Sequence, residues 1–435
     1  MGNITTVSEG SKKSDIQLKK FKLFNFLVPS LASLALFFVT LLFIGSFFYL
    51  NDSETGIKTS TTNLARWSNI EITNGSSSSV RPSVRGNGRV GFLEEGGGEC
   101  DIFDGNWVWD ENYPLYKSQD CPFVDEGFRC SEHGRPNNFY TKWRCQPKDC
   151  NLPRFDAGTM LEKLIRNKRV VFAGDSIARN HWESLLCVLS VAVSNKSSIY
   201  EVNGNPITKH KGHLVFKFDD FNCIIEYFRS PFLVVQGRPP PRSPPRVRFS
   251  LRVDQMSWAS RLWRDADIVI LSSGHWWTYH KTLRAGGYFQ EGNKLKMNMS
   301  IKTAYQRSIE TMVNWVNTQL DANKTRVFFR TYSPSHFRLT TTLLLSLSFY
   351  SLENLIYKLS LVMEVLSQRP NKVDVLSVTN MTTRRKDGHP SIYNVRQENE
   401  PLHHQDCSHW CLPGVPDSWN ELLYALLLKR ELSKP

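Results

Sequence analysis

None of the nine cysteines falls into paired Cys-x-x-Cys spacing, which argues against a thiolate zinc centre, and no metal site is expected. Zinc-finger spacing is absent, and so is any helical stripe of basic residues. The excess of 54 Lys+Arg over 41 Asp+Glu, a formal charge of +13, therefore does not read as a nucleic-acid surface. It suits an anionic membrane surface or an acidic polymer instead. Nor is the chain poor in apolar residues, at 40%, so wholesale disorder is excluded, and its 435 residues can hold one large domain or two. What it has in quantity is aromatics. Twelve Trp, 14 Tyr and 26 Phe would suit stacking on sugar rings, although most large aromatics are ordinary core.

Charge is missing altogether from residues 23–50, a run long enough to cross a bilayer. Lys12, Lys13, Lys19, Lys20 and Lys22 precede it and Asp52 and Glu54 follow, so the positive-inside bias places a cytosolic tail at 1–22. The run exceeds the usual signal-peptide core and lacks a clear small-residue cleavage site, which favours an uncleaved signal anchor. Everything beyond it is then lumenal or extracellular. Asn-x-Ser/Thr acceptors at Asn51, Asn74, Asn195, Asn298, Asn323 and Asn380 agree with that compartment, and in an oxidising lumen the cysteines read as disulfide partners. A soluble cytosolic enzyme is the alternative, excluded if those asparagines carry glycan.

Residues 51–98 have no apolar period and are rich in Ser, Thr, Asn and Gly, so a flexible stalk is expected, with order beginning at Cys100. From there to Pro153 the chain is cysteine- and aromatic-rich with little periodicity, an irregular lobe (99–153) pinned by disulfides. Over 154–435 strand and helix patterns alternate. Strands are expected at 169–173, 214–218, 223–235, 267–273, 326–332 and 373–378, and helices at 160–166, 177–190, 301–320 and 419–430. The last helix would start at Pro416 and a capping box, Ser418-Trp-Asn-Glu421. Such alternation implies an α/β fold with a doubly wound, mainly parallel sheet, whose ligands sit beyond the strand carboxyl ends. Ser176, the 272–277 turn and Ser333-Pro-Ser-His336 all fall at such ends and should converge. The basic, proline-rich stretch from Gly237 to Arg246 reads as an exposed loop.

The chemistry centres on Gly174-Asp175-Ser176, between the strand at 169–173 and the helix that follows. A serine there meets outward-pointing backbone N–H groups that favour negative charge, a good place for a nucleophile whose reaction passes through an oxyanion. Taken alone the tripeptide could equally be a turn and helix cap. A serine nucleophile needs a base, and the base an orienting acid. Asp406 and His409 are three apart, so in a turn the carboxylate can hold one imidazole nitrogen and leave the other for Ser176, and Cys407 and Cys411 can fix the loop that carries them.

These residues form part of a longer set of motifs in a fixed order. They are Cys100-Asp-Ile-Phe-Asp-Gly-Asn-Trp107, Gly134-Arg-Pro136, Trp143-Arg-Cys-Gln-Pro-Lys-Asp-Cys150, Gly174-Asp-Ser-Ile-Ala-Arg-Asn180, Gly274-His-Trp-Trp277 and Asp406-Cys-Ser-His-Trp-Cys-Leu-Pro-Gly414. From about residue 100 to the carboxyl terminus the chain resembles the plant trichome birefringence-like family. The resemblance implies a single-pass type II membrane protein of the Golgi, with an SGNH/GDSL-hydrolase-like domain behind a cysteine-rich lobe. It also implies O-acetyl transfer to a cell-wall polysaccharide. It assigns the triad Ser176, Asp406 and His409, with no bound cofactor, an acetyl donor as co-substrate, and Golgi proteins that supply that donor as partners. Gly274-His-Trp-Trp277, the Gly-Tyr-Phe-Gln-Glu-Gly stretch and Arg385-Lys-Asp-Gly-His-Pro-Ser-Ile-Tyr393 look closest to the branch linked with pectic rhamnogalacturonan, ahead of xylan or xyloglucan.

Oxyanion and substrate contacts are then expected among Gly174, Asp175, Arg179, Asn180, Ser272, His275, Trp276 and Trp277, with the N–H groups of 176–177 facing the oxyanion. His181, His275 and His389 read as structural or substrate-lining rather than catalytic. The resemblance further implies the disulfides Cys100–Cys150, Cys121–Cys187 and Cys130–Cys411. It would pair Cys407 with a cysteine in a Gly-Gly-x-Cys segment soon after His336, but this chain has none there. Cys407 is then unpaired unless Cys145, which stands where relatives usually have Trp, can reach it. The stretch 338–368 reads as divergent or mistranslated, and a local misfit is expected. The same triad would serve an acetylesterase, and a non-catalytic pectin-binding or bridging protein is the reading from outside enzymology.

Overall fold

The structure, a computed structural model, describes residues 89–336, 344–368, 372–395 and 405–432, with the backbone alone for 344–354. The run at 23–50 and most of the expected stalk lie outside these residues. Among the described residues no helix is long and apolar enough to cross a membrane.

Structure begins before Cys100. Strand β1 (Val90–Gly91) pairs in parallel with β4 (Cys150–Asn151), and Phe92 is buried, so the end of the expected stalk belongs to the folded lobe. Between them, β2 (Gly105–Trp109) and β3 (Trp143–Pro147) form an antiparallel ribbon. Two of the motifs act here. Gly105 has no room for a side chain, because a Cβ would stand 2.3 Å from the Gln146 carbonyl oxygen. Gln146 in turn donates its amide to the Cys150 carbonyl at 2.9 Å, closing the turn that leads to the disulfide.

The main sheet has seven strands. In chain order they are β5 (Arg169–Gly174), β6 (Ile199–Glu201), β7 (His213–Phe218), β8 (Cys223–Arg229), β11 (Ile268–Leu271), β14 (Arg326–Arg330) and β15 (Val373–Leu376). Their order across the sheet is β15-β14-β11-β5-β8-β7-β6. The first five of that order are parallel, and β7 and β6 add an antiparallel edge. Alternation along each strand divides its residues between two cores. Val170, Phe172, Ile268, Ile270 and Phe328 face one core, while Val171, Ala173, Val269, Leu271, Val327 and Phe329 face the other. Helix α1 (Ser176–Ser190) and helix α4 (Val415–Leu432) cover the first face. Helix α2 (Ile301–Gln319) and helix α3 (Leu344–Ser367) cover the second.

Three elements differ from the sequence pattern. The single strand expected over 223–235 is two, because Pro231 offers no ladder N–H and Leu233 takes φ 58°. Its second half, β9 (Val234–Gly237), turns into a separate sheet with β10 (Phe249–Met256), β12 (Gly287–Glu291) and β13 (Lys294–Lys296), in the order β13-β12-β10-β9. The helix expected over 160–166 is a short α-turn (Ala157–Thr159) running into a π-turn (Met160–Leu164). Finally, α4 starts at Val415, a turn earlier than expected: Asp417, not Glu421, reaches back to cap it, accepting from the Gly414 N–H at 2.7 Å. The expected misfit over 338–368 is not what the described part shows. Residues 344–367 are helical, and Leu361, Val362, Val365 and Leu366 enter the second core. Their spacing is helical, which the sequence itself displays.

The three disulfides are those implied by the resemblance: Cys100–Cys150 closes the lobe on itself, and Cys121–Cys187 and Cys130–Cys411 tie it to the sheet domain. Cys145 does not bond Cys407. It lies opposite Trp107 in the ribbon, where burial pushes its thiol up to about 12, and Cys407 Sγ sits 4.0 Å from Gln405 Oε1.

Between α1 and α4 lies a buried carboxyl pair. Ser184 and Tyr116 donate to Asp417, at 2.6 and 3.2 Å, and Tyr113 donates to Glu421. Burial dominates and pushes both carboxyls up to about 7. An ordinary carboxyl ionises near 4. The stability these groups contribute is therefore full below about pH 4 and lost as pH rises through 7. Buried His181 and His389, whose burial holds them below the usual imidazole range, work in the opposite sense, losing their contribution as pH falls. The comparison to make is thus between wild type and Glu421→Gln. Urea unfolding at several pH values should show the variant gaining on the wild type by on the order of 2–4 kcal/mol between pH 4 and 7.5. A difference independent of pH would mean that Glu421 is already ionised in the fold.

Candidate active site

The turn after β5 is built around a glycine and a cap. A Cβ on Gly174 would stand 2.5 Å from the Ser272 carbonyl oxygen and 2.6 Å from its hydroxyl, so β11 can approach only a glycine here. Asp175 is the N-cap of α1, its Oδ1 accepting from Ile177 N at 2.9 Å and Ala178 N at 3.4 Å. Its other oxygen meets His275 Nδ1 at 3.2 Å. Burial opposes ionisation of Asp175, but the His275 imidazole, the Arg330 guanidinium and the Ile177 N–H outweigh it and hold the carboxyl down to about 2. Ser176 is then the first residue of α1, half-buried at the carboxyl edge of the sheet.

The Asp406–His409 pair forms as its spacing predicts. His409 Nδ1–H donates to Asp406 Oδ2 at 2.6 Å, while the N–H groups of Ser408 and His409 donate to Oδ1 at 3.0 Å each. Burial works against the charge, yet the His409 ring and these N–H groups hold the Asp406 carboxyl well below the usual range. Nε2 of His409 has no hydrogen-bond partner among the described residues. Phe128 from the lobe packs against the ring, 5.3 Å between centroids.

Asn180, one turn along α1 from Ser176, joins helix and loop. Its Oδ1 accepts from Trp410 N at 2.8 Å and its Nδ2 donates to Trp410 O at 3.1 Å. Asn180→Ala would leave two buried backbone groups unpaired, which costs roughly 2–4 kcal/mol. Denaturant unfolding should register that loss, and kcat should fall with KM nearly unchanged because the loop, not the substrate, has lost its hold.

The other expected site residues divide. Asn180 grips Trp410, and Arg179 is buried, donating to Asp125 at 2.9 Å and Glu183 at 2.8 Å. Trp277 is fully buried with its indole N–H on Ser273, and Ser272 is buried against Gly174. Ile177 N is taken by Asp175, which leaves the Ser176 N–H of the expected 176–177 pair. His275 serves as an orienting group, its Nε2 donating to Ser333 O at 2.6 Å and its ring stacked on Tyr332 at 4.3 Å. Through it the turns after β5, β11 and β14 meet as expected. Of the two tryptophans in Gly-His-Trp-Trp, Trp276 is the one that keeps an exposed part.

Several supporting residues escape the sequence pattern. His336 Nδ1 lies 2.7 Å from His389 Nε2, and His389 Nδ1–H donates to the His409 carbonyl at 2.6 Å, so this pair braces the histidine loop from beneath. Ser391, at φ 52°, exchanges two backbone hydrogen bonds with Asp406. Arg135 of the Gly-Arg-Pro motif donates to the carbonyls of His389 and Asp387, at 3.1 and 2.5 Å. From α3, buried Lys358 donates to the Gly274 carbonyl at 2.9 Å, its ammonium pushed down to about 8 by burial.

A parallel sheet with a Gly-Asp-Ser turn at its carboxyl edge, faced by an Asp-x-x-His loop, is the arrangement of a GDSL/SGNH-like acyl-esterase. The model of the "GDSL/SGNH-like Acyl-Esterase family found in Pmr5 and Cas1p" matches residues 152–426, and that of the PMR5 N terminal domain matches 98–151. Within that class the chain belongs to the trichome birefringence-like family. It is 45% identical over 375 residues to Protein trichome birefringence-like 9 of Arabidopsis thaliana, covering 80% of this chain and 89% of that protein. With Protein trichome birefringence-like 6 the identity is 42% over 374 residues, covering 83% and 77%. With Protein trichome birefringence it is 38% over 343 residues, covering 76% and 56%. A function of the polysaccharide acetyltransferase or esterase kind follows from this membership.

Proposed function

We propose that the chain is a polysaccharide O-acetyltransferase, a type II Golgi membrane protein with this domain in the lumen and Ser176, His409 and Asp406 as its triad. One observation carries the reading. His409 has Nδ1 fixed by Asp406 and Nε2 without a partner, on a loop that Asn180 clamps to the helix beginning at Ser176. Nε2 takes the Ser176 proton as Oγ bonds the acetyl carbon of the donor, and returns it to the departing group. A sugar hydroxyl then gives its proton to Nε2 and attacks the acyl-serine, and the proton passes back to Ser176. The Ser176 N–H supports the oxyanion of both steps. The acetyl donor is a co-substrate rather than a bound cofactor, and other Golgi proteins supply it. The net charge and the motifs after β11 favour a pectic acceptor of the rhamnogalacturonan type ahead of xylan or xyloglucan.

Hydrolysis is the second reading, supported by the acyl-esterase description of the matching family model. Incubating the full-length protein with an acetyl donor and de-acetylated polymers separates the two. Mass gain on the polymer supports transfer, whereas acetate release without mass gain overturns it.

A further inference from the structure

Arg229 is the last residue of β8, and its register partner on β5 is Gly174, two residues before Ser176. Trp276 follows His275, whose ring touches Asp175. Both therefore stand at the same edge of the sheet as the serine. There the Arg229 guanidinium lies 5.4 Å from the Trp276 ring centroid, and the Lys281 ammonium lies 5.0 Å from it. The indole is set by a buried Phe232, edge-on at 5.7 Å. Arg229 and Lys281 are exposed and Trp276 is half-buried.

Among the described residues, Trp276 is set apart by having two cations on one ring. Surface cations such as Arg166, Lys148, Arg307 and Lys217 have their charge offset by Glu162, Asp104, Glu310 and Asp219. Among the described residues neither Arg229 nor Lys281 makes an ion pair. A cation–π contact orients a cation without neutralising it. Two like charges held near one ring repel, and an anion that meets both offsets that cost. Arg248, whose N–H donates to Gly286 O at 2.7 Å, brings the exposed basic loop against the turn that carries Lys281, so the positive potential continues outward.

We propose that Arg229, Trp276 and Lys281 form a subsite beside Ser176 that receives the carboxylate of a uronic-acid residue in the acceptor polysaccharide. The two cations donate to the carboxylate and the indole borders the sugar ring. This deepens the acetyl-transfer reading, since it names what the acceptor must carry next to the hydroxyl that reacts. The carboxylate has two sources, a galacturonate in a pectic backbone or a glucuronate branch on xylan.

The test is binding without turnover. Full-length protein carrying Ser176→Ala is titrated calorimetrically with an oligogalacturonide, with the same oligomer after carboxyl reduction, and with a glucuronate-bearing xylo-oligosaccharide. Roughly tenfold tighter binding of at least one acidic probe than of the reduced one, weakening as salt is raised, is expected. Adding Arg229→Gln and Lys281→Gln should erase the difference, while Arg229→Lys should keep most of it. Arg261→Gln should leave it intact. Arg261 also rests on an indole, Trp258 at 5.9 Å, but near Leu262, whose carbonyl meets Arg169 at the other end of β5. Equal affinity for the reduced oligomer, or a preference that survives the double substitution, overturns the subsite. The acidic probe that binds names the source. Because no acetyl group moves in this assay, a protein that binds uronate but acetylates no polymer would sink the transferase reading and leave the subsite standing.

Discussion

Ser176→Ala is expected to abolish acetyl transfer, with kcat falling by roughly five to six orders of magnitude, as when a triad nucleophile is lost elsewhere. The fold should survive, because the cap that starts α1 belongs to Asp175 and the substituted side chain is half-buried. His409→Ala should cost about as much, and the double variant little more, since the two groups act as one unit. Asp406→Asn should cost roughly 10⁴-fold, because an amide no longer favours the tautomer that leaves Nε2 free. Single-turnover assays with an acetyl donor, run beside thermal melting, would measure both effects. A Ser176→Ala protein that turns over normally would instead mean that Ser176 is not the nucleophile.

Breaking Cys130–Cys411 should have the second-largest effect, on stability and turnover together. The bridge joins positions 281 residues apart, and loss of a native disulfide in such a place costs about 2–5 kcal/mol. Cys411 is also only two residues from His409, and the Leu412 N–H beyond it donates to Phe128 O at 2.9 Å, the lobe residue whose ring meets the imidazole. Cys130→Ser with Cys411→Ser should lower the melting midpoint by several degrees and reduce kcat further than the lost stability explains. The control is Cys121→Ser with Cys187→Ser, which frees the lobe from the far end of α1 and should lower the midpoint with a smaller effect on kcat. Equal effects of the two pairs on kcat would mean that the bridge near His409 is only structural.

Much of the site was legible because its signals are local. β5 reads as a short apolar run, α1 as a helical pattern after the Gly174-Asp175-Ser176 turn, and the Asp406–His409 contact as a three-residue spacing. Each was found where the sequence places it, within a residue or two. The disulfide partners came from the family resemblance, because cysteine spacing alone leaves their connectivity open. The second sheet was missed for a physical reason. Its strands β9 and β10 flank the exposed basic loop, and β9 follows β8 so closely that only Pro231 and the positive φ of Leu233 mark the turn between sheets.

The sequence by itself determined the alternating strands and helices, the glycine and aspartate that shape the serine turn, and the pairing of Asp406 with His409, since periodicity, capping and i,i+3 contacts act over a few residues. Only the tertiary structure decided that Asn180 clamps Trp410 across 230 positions and that Arg179 is buried in an ion-pair network. It alone decided that of two adjacent tryptophans one is core and the other stands at the edge beside Arg229 and Lys281. Which way a side chain turns at the end of a strand depends on the strands beside it. That order is set by packing between segments far apart in the chain, and no local pattern carries it.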